Sequence, residues 1–96
     1  RVPVAIAIIL QRDPGERLPE WEEVAAVSMA VQNMWLTATE MDLGAFWATP
    51  GFMELLDEML ELRTGQKALG FFYVGEIMID YTSPGRGDIS NKIEWK

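Results

Sequence analysis

The side chains that most often carry chemistry in proteins are missing from this sequence. Its 96 residues include no cysteine and no histidine. That excludes a thiol nucleophile, a serine–histidine–aspartate triad, a zinc finger and a disulfide framework. The carboxylates stand mainly at predicted helix starts and on one helix face, where solvation is their ordinary role. A protein with so few reactive side chains usually takes its chemistry from a cofactor.

The segment from Gly44 to Gly51 is the best candidate for a cofactor contact. It joins a predicted helix end, a short apolar stretch over 45–48 and a new helix start at Thr49-Pro50. Helix ends of this kind leave backbone N–H groups without intrahelical partners. The two glycines lack the spacing of a phosphate loop, and no basic residue stands beside them. We therefore expect the backbone to supply the contact.

Composition limits the function classes further. The chain has 15 acidic and 8 basic residues and a net charge of −7, which disfavours binding to nucleic-acid phosphates. No apolar run approaches the roughly 18 residues of a membrane span, and no signal peptide opens the chain. We expect a cytoplasmic protein without a metal site that binds neither nucleic acid nor membrane.

Two strands and a long helix should position the candidate segment. The apolar run Val2–Leu10 predicts a strand buried on both faces, and Ala68–Ile79 predicts a second buried strand. From Trp21 to about Leu43 the chain has no glycine or proline, and residues 24–38 carry no charge. This pattern predicts a central helix packed on nearly all sides, with Gly44 as its left-handed cap.

Shorter elements complete the prediction. A second, amphipathic helix should begin at Thr49-Pro50, with an apolar stripe of Phe52, Leu55, Leu56, Met59 and Leu60. The tail from Asp80 is polar and mostly extended, and its ending, Ile93–Trp95, could add a short strand to a sheet edge.

The apolar content is large for so short a chain. Hydrophobic residues make up 49% of the sequence, whereas a domain of this size buries only about two-thirds of its unfolded surface. Either much of this surface faces another chain, or the chain is part of a larger fold. The start at Arg1, without an initiator methionine, favours the second reading, and we interpret the chain as a fragment.

Several motifs carry a family resemblance. They are the Gln32-Asn33 pair in the central helix, Leu-Gly-x-x-Trp over 43–47, Gly-Phe-x-Tyr-x-Gly over 70–75, and a tail with Arg86, Ile89 and Trp95. In this combination the sequence resembles the C-terminal half of the FMN-dependent nitroreductase family over essentially all 96 residues.

The resemblance implies an α+β fold with a mixed, largely antiparallel sheet and a long central helix, assembled as an intertwined homodimer. Residues 1–96 would form the C-terminal portion of a single domain whose N-terminal half is absent. The long helix would lie at the dimer core, the tail would reach across to the partner subunit, and FMN would lie at the interface.

The resemblance also implies site residues. Trp47, Ala48 and Thr49 match the segment that runs along the flavin ring, with the Thr49 N–H near its redox-active nitrogen. A donor there favours the reduced flavin. Arg86 matches a tail arginine that pairs with the FMN phosphate. No residue of the chain is implied as a catalytic acid or base.

Three departures from the family pattern bear on this site. The N-terminal Arg-Ser segment that contacts phosphate and ribitol is absent. Asp88 stands where many relatives carry proline, and Asp42 replaces a frequent glycine, which requires a left-handed conformation that aspartate tolerates.

Plainer roles stay open for the same residues. Trp35 and Trp47 are both suited to core packing, Thr49 to capping a helix, and Arg86 to a solvated loop. Gln32 and Asn33 should find structural hydrogen-bond partners.

The implied function is an oxidoreductase in which FMN takes hydride from NAD(P)H and then reduces a nitro-aromatic, a quinone or a similar acceptor in a ping-pong cycle. The alternative is a non-catalytic fragment or split-protein half that serves only as a structural or dimerisation module.

Overall fold

The protein is described by a computed structural model over residues 4–77 and 85–96. The elements in chain order are strand β1 (Val4–Gln11), helix α1 (Glu20–Glu40), strand β2 (Leu43–Ala48), a 3-10 turn (Met53–Leu55), helix α2 (Leu56–Met59), strand β3 (Gln66–Glu76) and a 3-10 turn (Ser90–Lys92). The strands form one antiparallel sheet in the order β1-β3-β2. The predicted α+β class with an antiparallel sheet and a long helix is confirmed.

β3 is the central strand and carries the core. Phe72 is fully buried and forms a cluster with Ile8 of β1 and Val31 of α1. β1 lies at an edge of the sheet, and its Val4 is 59% exposed. The prediction that the first strand is buried on both faces is therefore wrong for β1 in the single chain, because neighbouring elements cover too little of it.

Helix α1 packs on the sheet through one row of side chains. Val31 and Ala38 are buried, and Val27 and Met34 are half-buried against the core cluster. The opposite face, which includes Met29, is exposed. The predicted enclosure on nearly all sides is not found in the single chain, because the sheet covers only one face of the helix.

The end of α1 corrects two predicted positions. The helix ends at Glu40 rather than near Leu43, and Asp42 takes the left-handed conformation at φ +59°. Gly44 lies inside β2 opposite Gly75 and does not cap the helix. The chain must reverse before Leu43 to pair with β3, so the left-handed residue is Asp42, as its place at a frequent family glycine predicts, and not Gly44. Aspartate tolerates this conformation better than most residues.

The second helix is much shorter than its apolar stripe predicts. It covers Leu56–Met59, and Leu56 is fully buried, whereas Phe52 and Met59 are 45% and 63% exposed. Helices depend on packing of an apolar face for most of their stability. In the single chain only Leu56 finds such packing, which limits the element to one turn.

The ends of the chain leave several predictions open. Val2 and Pro3 at the start of the first predicted strand, and Met78 to Pro84 after Ile77, lie outside the described residues. In the tail, Ile93 and Trp95 are 41% and 89% exposed. Within the described part of the chain, Ile93–Trp95 joins no strand, so the predicted added strand is not formed on the chain's own sheet.

Candidate functional site

Trp47 lies near the end of β2, in the middle of the candidate segment. Within the Gly44–Gly51 segment it is the fourth residue, and it lies opposite Phe72 across the β2–β3 ladder and packs against the core cluster. Its indole Nε1–H donates a hydrogen bond of 2.9 Å to the Leu69 carbonyl oxygen. The side chain is therefore held against β3, as core packing predicts, and its backbone continues into Ala48 and Thr49.

The backbone of Ala48 approaches β3 very closely at Gly70. Gly70 has φ +110°, and a Cβ placed on it would overlap the Ala48 carbonyl oxygen while lying 3.3 Å from the Ala48 carbonyl carbon. The oxygen is the nearer of the two atoms, so the Ala48 carbonyl points toward Gly70. Only glycine suits both this φ and this separation.

The direction of the Ala48 carbonyl fixes the direction of the next N–H. No described peptide bond is cis, and in a trans peptide the carbonyl and the following N–H point to opposite sides. The Thr49 N–H therefore points away from β3. Among the described strands β2 pairs only with β3, so this donor points toward the side of the unpaired edge of β2.

Thr49 and Pro50 do not begin a helix. Thr49 is exposed, and the turn that follows is closed by the Met53 N–H, which donates to the Pro50 carbonyl oxygen at 3.3 Å. The capping residue before the 3-10 turn is Phe52, and no side chain caps it. The predicted capping role of Thr49 is wrong, because the turn with Gly51 delays the helical conformation.

Arg86 lies in the tail and is exposed. A Cβ on the flanking Gly85 or Gly87 would meet nothing within 4 Å. Within residues 4–77 and 85–96, no hydrogen bond or ion pair joins Arg86 to Trp47–Thr49. The structure thus brings Trp47, Ala48 and Thr49 together in one segment and leaves Arg86 apart from them.

Asp88, the departure from proline, has a local structural role. Its carboxylate accepts a hydrogen bond of 2.9 Å from the Ser90 N–H. This bond, followed by the interaction with the Ser90 side chain, lowers the pKa of Asp88. The aspartate thus makes a local contact just before the 3-10 turn Ser90–Lys92.

An apolar groove of about 470 Å³ lies between the second half of α1 and the sheet. Asn33 and Thr37 are its polar residues, and no titratable side chain lines it. Gln32 and Asn33 are exposed; the buried partners that we expected for them are not supplied by the described residues of this chain. The groove offers apolar contact and no acid or base.

A charge cluster, formed by Arg12, Asp13, Arg17 and Glu23, joins the loop after β1 to the first turn of α1. Arg12 Nε donates to a Glu23 carboxylate oxygen at 2.6 Å, and the Asp13 N–H donates to the other oxygen at 2.8 Å. The Asp13 hydrogen bond and then Arg12 lower the pKa of Glu23. Arg17, whose Nε lies 2.8 Å from the Asp13 carboxylate, lowers the pKa of Asp13. These contacts hold the loop against the helix.

Sequence reasoning missed the roles of Gly70 and of this charge cluster. A glycine inside an apolar strand pattern does signal close backbone approach, so Gly70 could have been singled out. The Arg12–Glu23 pair is eleven residues apart across a turn, and no helical or strand periodicity predicts that contact. Of the two, only Gly70 contacts the candidate segment.

The described residues form neither a metal site nor a membrane span. In residues 4–77 and 85–96, no group of acidic side chains is arranged to hold a metal ion. No helix in the same part of the chain has the length and hydropathy needed to cross a membrane.

Comparison with known proteins identifies the class of this fold. The sequence model of the Nitroreductase family matches residues 1–76, which are most of the chain. The chain therefore belongs to that family. Its structure is similar to a crystal structure of a nitroreductase-like family protein from Bacillus cereus, with a TM-score of 0.78 and 28% sequence identity. The comparison with curated proteins gives no match.

The structural match covers different fractions of the two proteins. It covers 95% of this chain but 49% of the Bacillus cereus protein. The chain therefore spans about half the length of the solved structure that it resembles, and the matched half contains β1 to β3 and α1.

Proposed function

We propose that the protein works as an FMN-dependent oxidoreductase that uses NAD(P)H to reduce nitro-aromatics, quinones or similar acceptors. Membership of the nitroreductase family is the observation that carries this proposal. FMN, when bound, supplies hydride acceptance from NAD(P)H and electron delivery to the acceptor in a ping-pong cycle. The chain's own residues then need only bind and orient, which agrees with a sequence lacking histidine and cysteine.

The geometry at the end of β2 suits a flavin ring. A ring edge needs hydrogen-bond partners from a surface that is otherwise flat and free of bulky side chains. The Thr49 N–H faces the open sheet edge, and the small Ala48 side chain precedes it. Trp47 is held back against β3 by its bond to Leu69. These residues fit the predicted contact along the ring.

The phosphate of FMN requires a positive partner in an acidic chain. Arg86 is exposed between two glycines, so its guanidinium has room to form a paired hydrogen bond with a phosphate. Family members close this contact with further residues of the half of the fold that this chain does not span. Arg86 would therefore contribute one of several phosphate contacts.

We further propose that two copies associate through α1. The chain exposes 8168 Å², whereas a compact monomer of 10.9 kDa would expose about 5,600 Å². The excess, which is spread over the whole chain, is large enough to include the roughly 800 Å² that each partner buries in a standard interface. The exposed face of α1 carries no charge over residues 24–39, so two acidic chains can meet there without repulsion. The tail would then reach across to the partner subunit.

The proposed activity is tested by reduction and reoxidation of the purified protein in the presence of FMN. Anaerobic addition of NADH or NADPH should bleach the flavin absorbance, and a quinone or nitro-aromatic should restore it without NAD(P)H present. Failure of FMN to bind would reject the proposal. It would favour the alternative of a structural or dimerisation module, which the half-length match also allows.

A further inference from the structure

We propose that Gly70 is a positioning residue for the flavin contact at Thr49, acting through the Ala48 carbonyl and the Trp47 indole. This inference rests on the proposed function, since it concerns the same contact. Gly70 lies on β3 and contacts the candidate segment only on its buried side. It is therefore a positioning residue and not a ligand.

The space around Gly70 leaves no room for a side chain. A Cβ on this residue would overlap the Ala48 carbonyl oxygen and lie 3.1 Å from Trp47 Nε1. Gly70 is buried, with φ +110°, a conformation that L residues rarely adopt. Any side chain here must push the end of β2 away from β3.

The residue before Gly70, Leu69, makes a second contact with the same segment. The Leu69 carbonyl accepts the Trp47 indole hydrogen bond at 2.9 Å, so residues 69 and 70 together hold residues 47 and 48. The hydrogen bond fixes the indole, and the close approach at Gly70 fixes the Ala48 peptide. The plane of that peptide determines where the Thr49 N–H points.

The consequence is specific to the ligand contact. A hydrogen-bond donor near the redox-active nitrogen changes both the affinity for flavin and the relative stability of its reduced form. Rotation of the Ala48–Thr49 peptide would therefore alter the midpoint potential, whereas a general loss of stability would not.

The test compares Gly70→Ala and Trp47→Phe with two controls. Gly15→Ala is the matched glycine change, because a Cβ at Gly15, in the loop after β1, would meet no atom closer than 3.6 Å. Leu10→Ala is the matched loss of stability, because Leu10 is 2% exposed and lies on β1, at the opposite sheet edge from β2. Each protein is titrated with FMN by quenching of flavin fluorescence, and the midpoint potential is measured against reference dyes.

We expect Gly70→Ala to raise the FMN dissociation constant at least tenfold and to shift the midpoint potential. Trp47→Phe should change both in the same direction by less, and it provides the test if Gly70→Ala does not fold. The two controls should retain the parent affinity and potential. Amide hydrogen exchange without FMN should quicken at the end of the β2–β3 ladder, around Ala48 and Phe71, in Gly70→Ala and not in Leu10→Ala.

The outcomes separate the two proposals. If the parent protein binds no FMN, the proposed function is wrong. If the parent binds FMN but both Gly70→Ala and Trp47→Phe keep its affinity and potential, Gly70 has no positioning role and only this inference is overturned. The inference is overturned in the same way if Leu10→Ala shifts the potential as much as the two variants do.

Discussion

The indole N–H of Trp47 and the carbonyl oxygen of Leu69 form a 2.9 Å hydrogen bond between two strands, 22 residues apart in sequence. This bond joins the end of β2 to the middle of the central strand, one residue before the glycine that admits the Ala48 carbonyl. The candidate segment is thus fixed from its buried side and open on the other. That asymmetry is what a backbone contact to a ligand requires.

Arg86→Ala should weaken retention of FMN. A hydrogen bond to a charged group contributes about 1.5–3 kcal/mol, so the dissociation constant should rise by roughly 10- to 150-fold. Isothermal titration with FMN measures the change. Lys92→Ala, which removes an exposed cation from the same tail, is the matched control. Equal affinity of Arg86→Ala and the parent would mean that Arg86 is a solvated loop residue.

The adjacent leucines at the start of the second helix should differ sharply on truncation. Leu56 is fully buried and Leu55 is 56% exposed. Leu56→Ala leaves a cavity and should lower the free energy of unfolding by about 2–5 kcal/mol. Leu55→Ala should cost no more than about 0.5 kcal/mol. Urea denaturation measures the free energy of unfolding of both variants. Similar losses would contradict the one-turn helix α2, in which Leu56 is the buried residue.

At position 42, in the junction between α1 and β2, glycine should make the protein at least as stable as aspartate does. This residue holds φ +59°, a conformation that costs an L residue about 1–2 kcal/mol, and least for aspartate or asparagine. Asp42→Gly should leave stability equal or slightly higher, while the β-branched change Asp42→Val should lower it by about 1–2 kcal/mol. Thermal denaturation of the two variants provides the comparison. A stable Asp42→Val protein would argue against the left-handed turn.

The charge cluster should make stability depend on pH. In the folded protein the pKa of Glu23 lies below its ordinary value because of the Asp13 N–H and Arg12. The pKa of Asp13 is lowered by Arg17. Their contribution is therefore complete above the unfolded pKa values of about 4. It is lost as the pH falls through the lowered folded values, because the unfolded chain then binds protons more readily.

Glu23→Gln tests this directly. The variant should have a lower Tm than the parent at pH 7 and a flatter fall in Tm from about pH 5 downward, since part of the linkage is removed. Glu22→Gln changes the same helix turn without touching Arg12 or Asp13 and serves as the control. If both variants follow the parent curve, the charge cluster does not contribute to stability.

The uncharged face of α1 should be sensitive to a new charge. Met29 is 66% exposed in the single chain, and the proposed dimer would bury it. Met29→Glu would place two like charges in one interface and should raise the dimer dissociation constant at least about tenfold. Sedimentation over a concentration series measures this. Leu55→Glu adds a charge at a comparably exposed leucine on another element, and an equal effect there would contradict an interface at α1.

The sequence predicted the positions of the helices and strands more accurately than it predicted what packs against them. The β-branched run of β1 and the unbroken apolar stretch of α1 identify those elements within a few residues, because local periodicity depends on the chain alone. The enclosure of α1 was predicted from the same pattern, but one chain supplies only one covered face. The apolar pattern indicates what must be buried and not which chain buries it.

The site was less accessible to sequence reasoning. Thr49-Pro50 has the residue types of a helix start, yet the helix begins later because its apolar stripe has one packed position, Leu56. The contact at Gly70 depends on the register that sets Ala48 opposite Phe71, and such pairing is not encoded in any local pattern. The pattern of helix ends identified the segment and the family motif supported it, and the fold gives the physical reason for the glycine at position 70.

Native mass spectrometry of the purified protein saturated with FMN tests the central claim most directly, because it reports ligand and assembly together. We predict a species of two identical chains that carries FMN, and in which Arg86→Ala reduces the flavin-bound fraction. A single chain without FMN, under conditions where the folded protein is intact, would contradict this claim.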